Sequence, residues 1–318
     1  MQALLGIVAA CALAGFGNLA QGAESYPSRP VRIVTSEPGG GTDFAARVMS
    51  QELAGPLGQP VIVENRGAGV YSGEIVSKAT PDGHTLLVTG TSFWVGPLFR
   101  KTPYDPVRDF SPISLLVNSP NVLVVHPGLP VKNVRELVDL AKAKPGQLNY
   151  ATASTGSSSH LAAELFKSMS RIDALRIPYK GTGPGLIDLM SGRVHFSFAT
   201  SSGAEPHVKA GRLRAIAVTS AQPSVLYPDL PVVAATVRGY ESGGGTAMLA
   251  PPRTPATVIK RLSHEVRTAL AKPHVKALFL KRGAEVVANS PGELTAMIKT
   301  EITRIEKLIK DAGIQTER

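Results

Sequence analysis

The sequence predicts an α/β protein built of two lobes, each with a parallel sheet covered by helices. Short apolar runs typical of strands alternate with amphipathic stretches typical of helices along most of the 318 residues. Such alternation favours parallel sheets with helices on their faces. In addition, the segments VLVVHPGLPVKNVRELV and AMLAPPRTPATVIKRL each combine an apolar strand, a proline-rich corner and a capped helix. This repeated pair suits two strands that cross side by side between two lobes.

The individual elements follow from the same alternation. Helices are predicted over TDFAARVMSQELAGPLG, 73–80, NVRELVDLAKAK and SHLAAELFKSMS. Val194, Phe196 and Phe198 alternate with polar residues, which predicts a strand with one more deeply buried face. Strands are predicted at 31–36, 60–65, 84–90, 121–127, 148–153 and 194–200, with a further one in ALRIPY.

Capping residues mark the ends of three helices. Asn133 is the predicted N-cap of the helix that follows strand 121–127. Thr254 is predicted to cap a later helix, with a proline at its first position. The C-terminal helix is expected to begin with Ser290 as N-cap and Glu293 as the acid of a capping box, and to stop at Gly313.

The proline-rich pair also predicts the lobe boundaries. We place the crossings near residues 120–126 and 243–250. Residues 24–121 and 246–318 then form a discontinuous first lobe. Residues 122–245 form a second lobe inserted between them.

The N-terminal segment predicts export. Residues 1–23 read as a signal peptide, because the run from Ala3 to Phe16 is apolar but too short to span a bilayer, and small residues follow it. Cys11, the only cysteine, either fills this apolar region or carries a lipid anchor. The mature chain would then lack cysteine, which excludes disulfides and thiolate chemistry. We expect a soluble, periplasmic monomer.

The charge is strongly basic but dispersed. The formal net charge is +10, and no run of Lys or Arg exceeds two residues. Aromatic residues make up only 5% of the chain, so stacking platforms for single-stranded nucleic acid are not expected. The composition therefore argues against a nucleic-acid partner and leaves acidic ligands open.

Each predicted lobe has one polar loop between a strand and a helix. In the first lobe the loop runs from Pro38 to Asp43 and contains three glycines, and in the second it runs from Ala153 to His160. A helix start leaves N–H groups without partners and carries partial positive charge, so anions bind there. Two such loops in facing lobes could hold an organic anion. The alternative is that both are ordinary capped turns, with Thr42 and Ser158 as N-caps.

No catalytic motif or metal-binding pattern competes with this interpretation. The loop GGGTD matches neither a Walker P-loop nor G-x-G-x-x-G, and GSSSH is not a G-x-S-x-G elbow. His160 and Glu164 lie four residues apart, but two side chains do not make a zinc site. The sequence therefore predicts a binding protein without cofactor or metal, and not an enzyme.

Many ordered stretches resemble one family. YPSRPVRIV, PGGGTDFAAR, LGQPVIVENR, YDPVRDFSPISL, AKPGQLNYA, GSSSHLAAELF and AGRLRAIAVTS are similar to segments of the Bug family, the substrate-binding proteins of tripartite tricarboxylate transporters. The resemblance runs from Tyr26 to Ile314. It implies a two-lobed periplasmic binding protein of type II topology, with a ligand cleft between the lobes and no enzymatic activity.

The resemblance also implies a ligand, a partner and a set of site residues. The ligand would be a small organic acid: a dicarboxylate, a tricarboxylate, an aromatic acid or an acidic amino acid. The partner would be the membrane permease of a tripartite tricarboxylate transporter. An alternative partner is a sensor kinase, to which the loaded protein would signal. The site residues carried over are Gly40, Gly41, Thr42 and Asp43 in one loop, Ser154, Thr155, Gly156, Ser157 and Ser158 in the other, Thr89, Thr91 and Ser92 on the cleft wall, and Thr200 and Ser201 at the far end.

The sequence departs from the family pattern near this far end. The segment FATSSGAEP lacks the acidic residue that is common in relatives after that strand. Losing a negative charge there should favour a more anionic or neutral-polar ligand over one with an ammonium group.

Overall fold

A computed structural model describes residues 26–36, 38–66, 69–153, 155–179, 181–314 and 316. The predicted signal peptide and Cys11 lie outside these residues. The eleven described strands are β1 (Val31–Thr35), β2 (Val61–Asn65), β3 (Thr85–Gly90), β4 (Ser111–Ser119), β5 (Asn121–Val125), β6 (Asn149–Thr152), β7 (Leu175–Pro178), β8 (Phe196–Thr200), β9 (Arg214–Val218), β10 (Gly244–Ala250) and β11 (Glu285–Val286).

Ten α-helices cover these strands. They are α1 (Gly41–Leu57), α2 (Gly69–Ser77), α3 (Thr91–Val95), α4 (Val134–Ala143), α5 (Ser158–Ser170), α6 (Thr182–Met190), α7 (Ser201–Lys209), α8 (Ala256–Ala271), α9 (Pro273–Leu280) and α10 (Pro291–Ala312). Two short 3₁₀ turns lie at Gly96–Leu98 and Val233–Ala235. In the part of the chain that the structure describes, none of the helices is both long and apolar enough to span a membrane.

The strands form two mixed sheets. The order in the first sheet is β11-β4-β10-β3-β1-β2, and in the second it is β7-β6-β8-β5-β9. Strand β1 runs parallel to β2 and β3, and β6 runs parallel to β7 and β8. The prediction of wholly parallel sheets is wrong for the strands at the crossings: β10 is antiparallel to β3 and β4, and β5 is antiparallel to β8 and β9.

The chain passes between the sheets at a proline. Strand β4 ends at Ser119 in the first sheet, and β5 begins at Asn121 in the second. Pro120 between them has no N–H to continue a ladder. The Thr219 hydroxyl accepts a hydrogen bond from the Asn121 N–H at 2.8 Å and lies 3.1 Å from the Asn121 carbonyl oxygen, to which it donates. This clamp fixes the start of β5. The lobe boundaries themselves stay a prediction.

The predicted capping residues are confirmed for two of the three helices. Asn133 caps α4 by accepting a hydrogen bond from the Glu136 N–H. Ser290 and Glu293 form the predicted capping box of α10, and its C-cap is Gly313 at φ 62°.

The third predicted cap is wrong by one residue. Helix α8 begins at Ala256 after Pro255, without a side-chain cap. The Thr254 hydroxyl instead donates to the Pro251 carbonyl at 2.9 Å, so it is engaged in the turn that precedes the helix.

The two sheet units touch at a turn of the backbone. Gly283, after α9, has φ 72°, and a Cβ built there would lie 2.9 Å from the Ser201 Cβ and 3.0 Å from the Ser202 nitrogen. Nearby, the Ser224 hydroxyl donates a hydrogen bond to the Glu285 carboxylate. A side chain at position 283 would therefore meet the first turn of α7.

Replacing Gly283 with alanine tests this close approach. The control is Gly211→Ala, because Gly211 has φ 66° and a Cβ there would meet nothing within 4 Å. Both variants should lose about 1 kcal/mol in the free energy of unfolding from the left-handed backbone. Gly283→Ala should lose roughly 1–3 kcal/mol more from the clash. Denaturant titration measures the difference. Equal losses, with the same radius of gyration in solution scattering, would contradict the contact.

Candidate functional site

The first polar loop leaves the start of α1 without a side-chain cap. Gly39 has φ 84°, and the N-cap residue Gly40 has an extended backbone and no side chain to cap with. The Phe44 N–H bonds to the Gly40 carbonyl at 3.0 Å, while the backbone N–H groups of residues 41–43 form no hydrogen bond with a described residue. Three donors therefore lie at the positive end of the helix dipole and are free to bind an anion.

Asp43 holds this loop in place. Its carboxylate accepts hydrogen bonds from the Gly39 N–H at 2.9 Å and from the Asn65 amide at 2.8 Å, and it pairs with Arg47 at 3.0 Å. Burial alone would raise the pKa of Asp43, but the hydrogen bonds from Arg47, Gly39 and Asn65 outweigh burial and keep the pKa below its usual value. Asp43 is thus a loop-ordering carboxylate.

The second polar loop repeats this arrangement with a different acceptor. Gly156 has φ 79°, and its N–H donates to Nδ1 of His160 at 3.1 Å. Gly39 and Gly156 each lie two residues before a helix, and the third residue of that helix accepts the glycine N–H. The four-residue spacing from glycine to acceptor is visible in the sequence and could have identified His160.

The alternative interpretation was that both loops are ordinary turns with side-chain N-caps. It is wrong for the first loop and partly correct for the second. Thr42 is not the N-cap of α1, because it is the second residue of the helix and the N-cap is Gly40. Its hydroxyl lies 2.5 Å from the Ser36 hydroxyl. Helix α5 is capped by Ser157 rather than Ser158, through a bond from the His160 N–H at 3.3 Å. The backbone N–H groups of Ser158 and Ser159 bond to no described residue.

A buried polar network supports the second loop. His160 and Glu164 are almost fully buried, and Tyr150 donates its hydroxyl to the Glu164 carboxylate. Arg176 donates to the hydroxyls of Thr152 at 2.9 Å and Thr155 at 3.3 Å. Arg176 was not identified from the sequence, because a single arginine within a strand carries no motif.

His160 is neutral in this network. Burial, reinforced by the positive charges of Arg176 and Lys167, lowers the pKa of His160 to about 4. Because Nδ1 accepts the Gly156 N–H, the ring proton resides on Nε2, which lies 3.9 Å from Oε1 of Glu164. A neutral ring is required for this loop geometry.

Two glycines lie between the two helix starts. A Cβ on Gly90 would lie 3.6 Å from Cγ2 of Thr42 and 3.6 Å from the Gly245 carbonyl oxygen. A Cβ on Gly244 would lie 4.0 Å from the Ser158 Cβ. The structure thus brings the two loops together around the start of β10, at Gly90 and Gly244, which we call the glycine floor. A Cβ on Gly245 would instead face Leu115 and Trp94 in the core.

The other predicted site residues are placed as follows. Thr91 accepts the Gly245 N–H at 2.7 Å, Thr89 is buried within β3, and Ser92 is exposed. Ser201 is buried and donates to the Pro120 carbonyl at 2.8 Å. Thr200 is the N-cap residue of α7 without a side-chain cap bond, and Ser154 lies outside the described residues. Thr91 and Ser201 therefore use their hydroxyls within the protein.

The described residues offer no metal site, since they contain no cluster of three or more His, Cys, Asp or Glu side chains. The aromatic residues near the site belong to the core: Phe93 stacks on Tyr104 at 4.5 Å between ring centroids, and Trp94 donates to Glu301 at 2.9 Å.

Known proteins are similar to this chain in sequence and in fold. A family model described as "Tripartite tricarboxylate transporter family receptor" matches residues 45–314. The protein BugT of Bordetella pertussis is 34% identical over 300 residues, which cover 92% of this chain and 91% of that protein.

Solved structures of similar proteins have the same fold. The protein Rpa4515 of R. palustris with adipate is 33% identical, with a TM-score of 0.76 and coverage of 92% of this chain and 99% of that one. The periplasmic binding protein BugD is 32% identical, with a TM-score of 0.72 and coverage of 92% and 100%. MatC of Rhodopseudomonas palustris with bound malate is 31% identical, with a TM-score of 0.71 and coverage of 89% and 100%.

The neutral state of His160 predicts a pH-dependent stability. Between pH 6.5 and about 4 the unfolded state binds a proton that the folded ring does not, so the free energy of unfolding should fall as the pH drops through this range. The loss is roughly 3–4 kcal/mol at most, at about 1.4 kcal/mol per pKa unit. The variant His160→Asn keeps an acceptor for the Gly156 N–H but has no ring to protonate. Its free energy of unfolding should therefore fall less than that of the wild type as the pH drops from 6.5 to about 4.

Denaturant titrations across this pH range measure the effect. His264→Asn, at an exposed position of α8, should keep the wild-type profile. Identical profiles for His160→Asn and the wild type would contradict a neutral, buried His160.

Proposed function

The chain belongs to the tripartite tricarboxylate transporter receptor family, and on that premise we propose that it captures a small organic carboxylate between two lobes and delivers it to a transporter of that type. Members of this family are solute-binding proteins and not enzymes. The observation that carries the proposal is the convergence of two helix starts with unpaired N–H groups on the glycine floor.

The geometry suits a ligand that is anionic at both ends. Each loop offers at least two backbone donors without a partner among the described residues, and each lies at the positive end of a helix. Gly90 and Gly244 place no side chain in the space between the loops. Two relatives are described with adipate and with malate, which are both dicarboxylates. A dicarboxylate can place one carboxylate at each helix start, so we propose this ligand class first.

Capture would proceed by closure of the lobes. A ligand bound at one helix start presents its second charged group to the other loop, so binding shifts the equilibrium towards a closed form. The closed form would be the one that the membrane permease recognises. We place the protein in the periplasm, where the similar protein BugD acts as a binding protein.

Delivery and signalling can be distinguished in cells. If the chain feeds a permease, deleting it should abolish uptake of the bound acid. If it signals to a sensor kinase, deletion should change gene expression and leave uptake by other carriers intact.

Replacing Gly41 with valine tests the site. A Cβ on Gly41 meets nothing of the protein within 4 Å, so the fold should be kept while the added side chain stands in front of the free amides. The affinity for the wild-type ligand should fall at least about tenfold, since one charge-assisted hydrogen bond is worth roughly 1.5–3 kcal/mol. Calorimetry with adipate, malate, citrate, glutamate and benzoate identifies the ligand and measures the loss.

The matched control is Gly292→Val. Gly292 lies in the first turn of α10 and belongs to neither loop, and a Cβ there also meets nothing within 4 Å. It should bind like the wild type. Equal affinities for both variants would place the ligand elsewhere, whereas a wild type that binds no acid of the panel would reject the ligand class.

A further inference from the structure

A second concave site lies far from the two loops. A cavity of about 370 Å³ is formed by α4, by the C-terminal end of α5 and by residues 236–238. Helix α5 has 13 residues, so at 1.5 Å per residue this cavity lies about 20 Å from the helix start that forms the second loop. The volume is at the lower end of the range for small-molecule pockets.

The wall of this cavity is strongly basic. Arg135, Lys142, Arg171 and Arg238 line it, and Asp139 is its only acidic residue. None of the four cations forms a salt bridge or a side-chain hydrogen bond with a described residue. Elsewhere many basic side chains are paired with a carboxylate, including those of Arg29, Arg32 and Arg47. Four unpaired cations around one concave surface create a local positive potential.

Helix dipoles explain only half of this cluster. Lys142 lies in the last turn of α4 and Arg171 is the C-cap residue of α5, where positive charge is favourable. Arg135, however, lies in the first turn of α4, where the dipole disfavours a cation. Arg238 lies outside any helix. Capping therefore accounts for two of the four charges.

The uncharged residues that line the cavity offer few hydrogen bonds to a ligand, so a ligand would be recognised mainly by its charge. Val138 and Met169 supply apolar wall, and Met169 is 37% exposed. The Ser170 hydroxyl already donates to the Phe166 carbonyl and is not free to donate to a ligand. The guanidinium groups are the main donors, and they are suited to the paired oxygens of carboxylate and phosphate groups.

We propose that this cavity is a second ligand site, which binds a small soluble polyanion carrying two or more phosphate or carboxylate groups. One such molecule would face three or four cations at once and would be small enough for the cavity. The site is independent of the carboxylate cleft, and binding there does not require closure of the lobes.

Inorganic pyrophosphate is the probe that tests the site. We expect saturable binding to the full-length wild type at low salt, weakening as sodium chloride is raised. The double variant Arg135→Gln/Arg238→Gln should bind pyrophosphate at least about tenfold more weakly, since each charge-assisted contact is worth roughly 1.5–3 kcal/mol. These two residues are chosen because no helix dipole favours their charge.

Two controls locate the binding. Arg212→Gln removes an exposed cation that has no side-chain partner among the described residues and lies outside the cavity, so it should bind pyrophosphate like the wild type. Gly41→Val should also bind it normally, because the cleft is not involved.

The opposite results overturn the proposal. The wild type could show no saturable binding of pyrophosphate. The double variant and Arg212→Gln could lose pyrophosphate affinity equally. Gly41→Val could lose pyrophosphate binding. Sedimentation with phosphatidylglycerol vesicles provides a further arm. A wild type that binds vesicles but not pyrophosphate would have a membrane contact there and no small-ligand site.

Discussion

The candidate site depends on how two glycine N–H groups are satisfied. Gly39 and Gly156 adopt φ near 80°, a conformation that side chains disfavour, and each donates its N–H to the third residue of the following helix. This bond ties the loop to its helix, and the backbone N–H groups of residues 41–43, 158 and 159 bond to no described residue. The rest of the fold brings two such helix starts to the same place.

The sequence predicted local features of the fold and of the site. Glycine before a helix and the capping box at Ser290 depend on neighbouring residues, and the structure bears them out. The N-caps predicted at Thr42, Ser158 and Thr254 were wrong by one or two residues, because a hydroxyl such as that of Thr42 can bond to another loop residue instead of its own helix.

The parts that the sequence could not predict depend on contacts between distant residues. Gly90 and Gly245 are 155 positions apart, and only the pairing of β3 with β10 makes them neighbours. Strand β4 was not predicted, although its nine residues lie between β10 and β11 in the first sheet and lead into the crossing at Pro120. Arg176 reaches Thr155 across the edge of the second sheet, a contact that no spacing along the chain reveals.

The two loops differ in the charge beneath them. The carboxylate of Asp43 is balanced by Arg47, so the support of the first loop is neutral overall. Under the second loop His160 is uncharged, and Lys167 and Arg176 together exceed the single carboxylate of Glu164 by one positive charge. If the proposed function is correct, we expect an unsymmetrical acid to bind between the loops in one preferred direction, with its more highly charged end towards α5 and its less polar end towards α1.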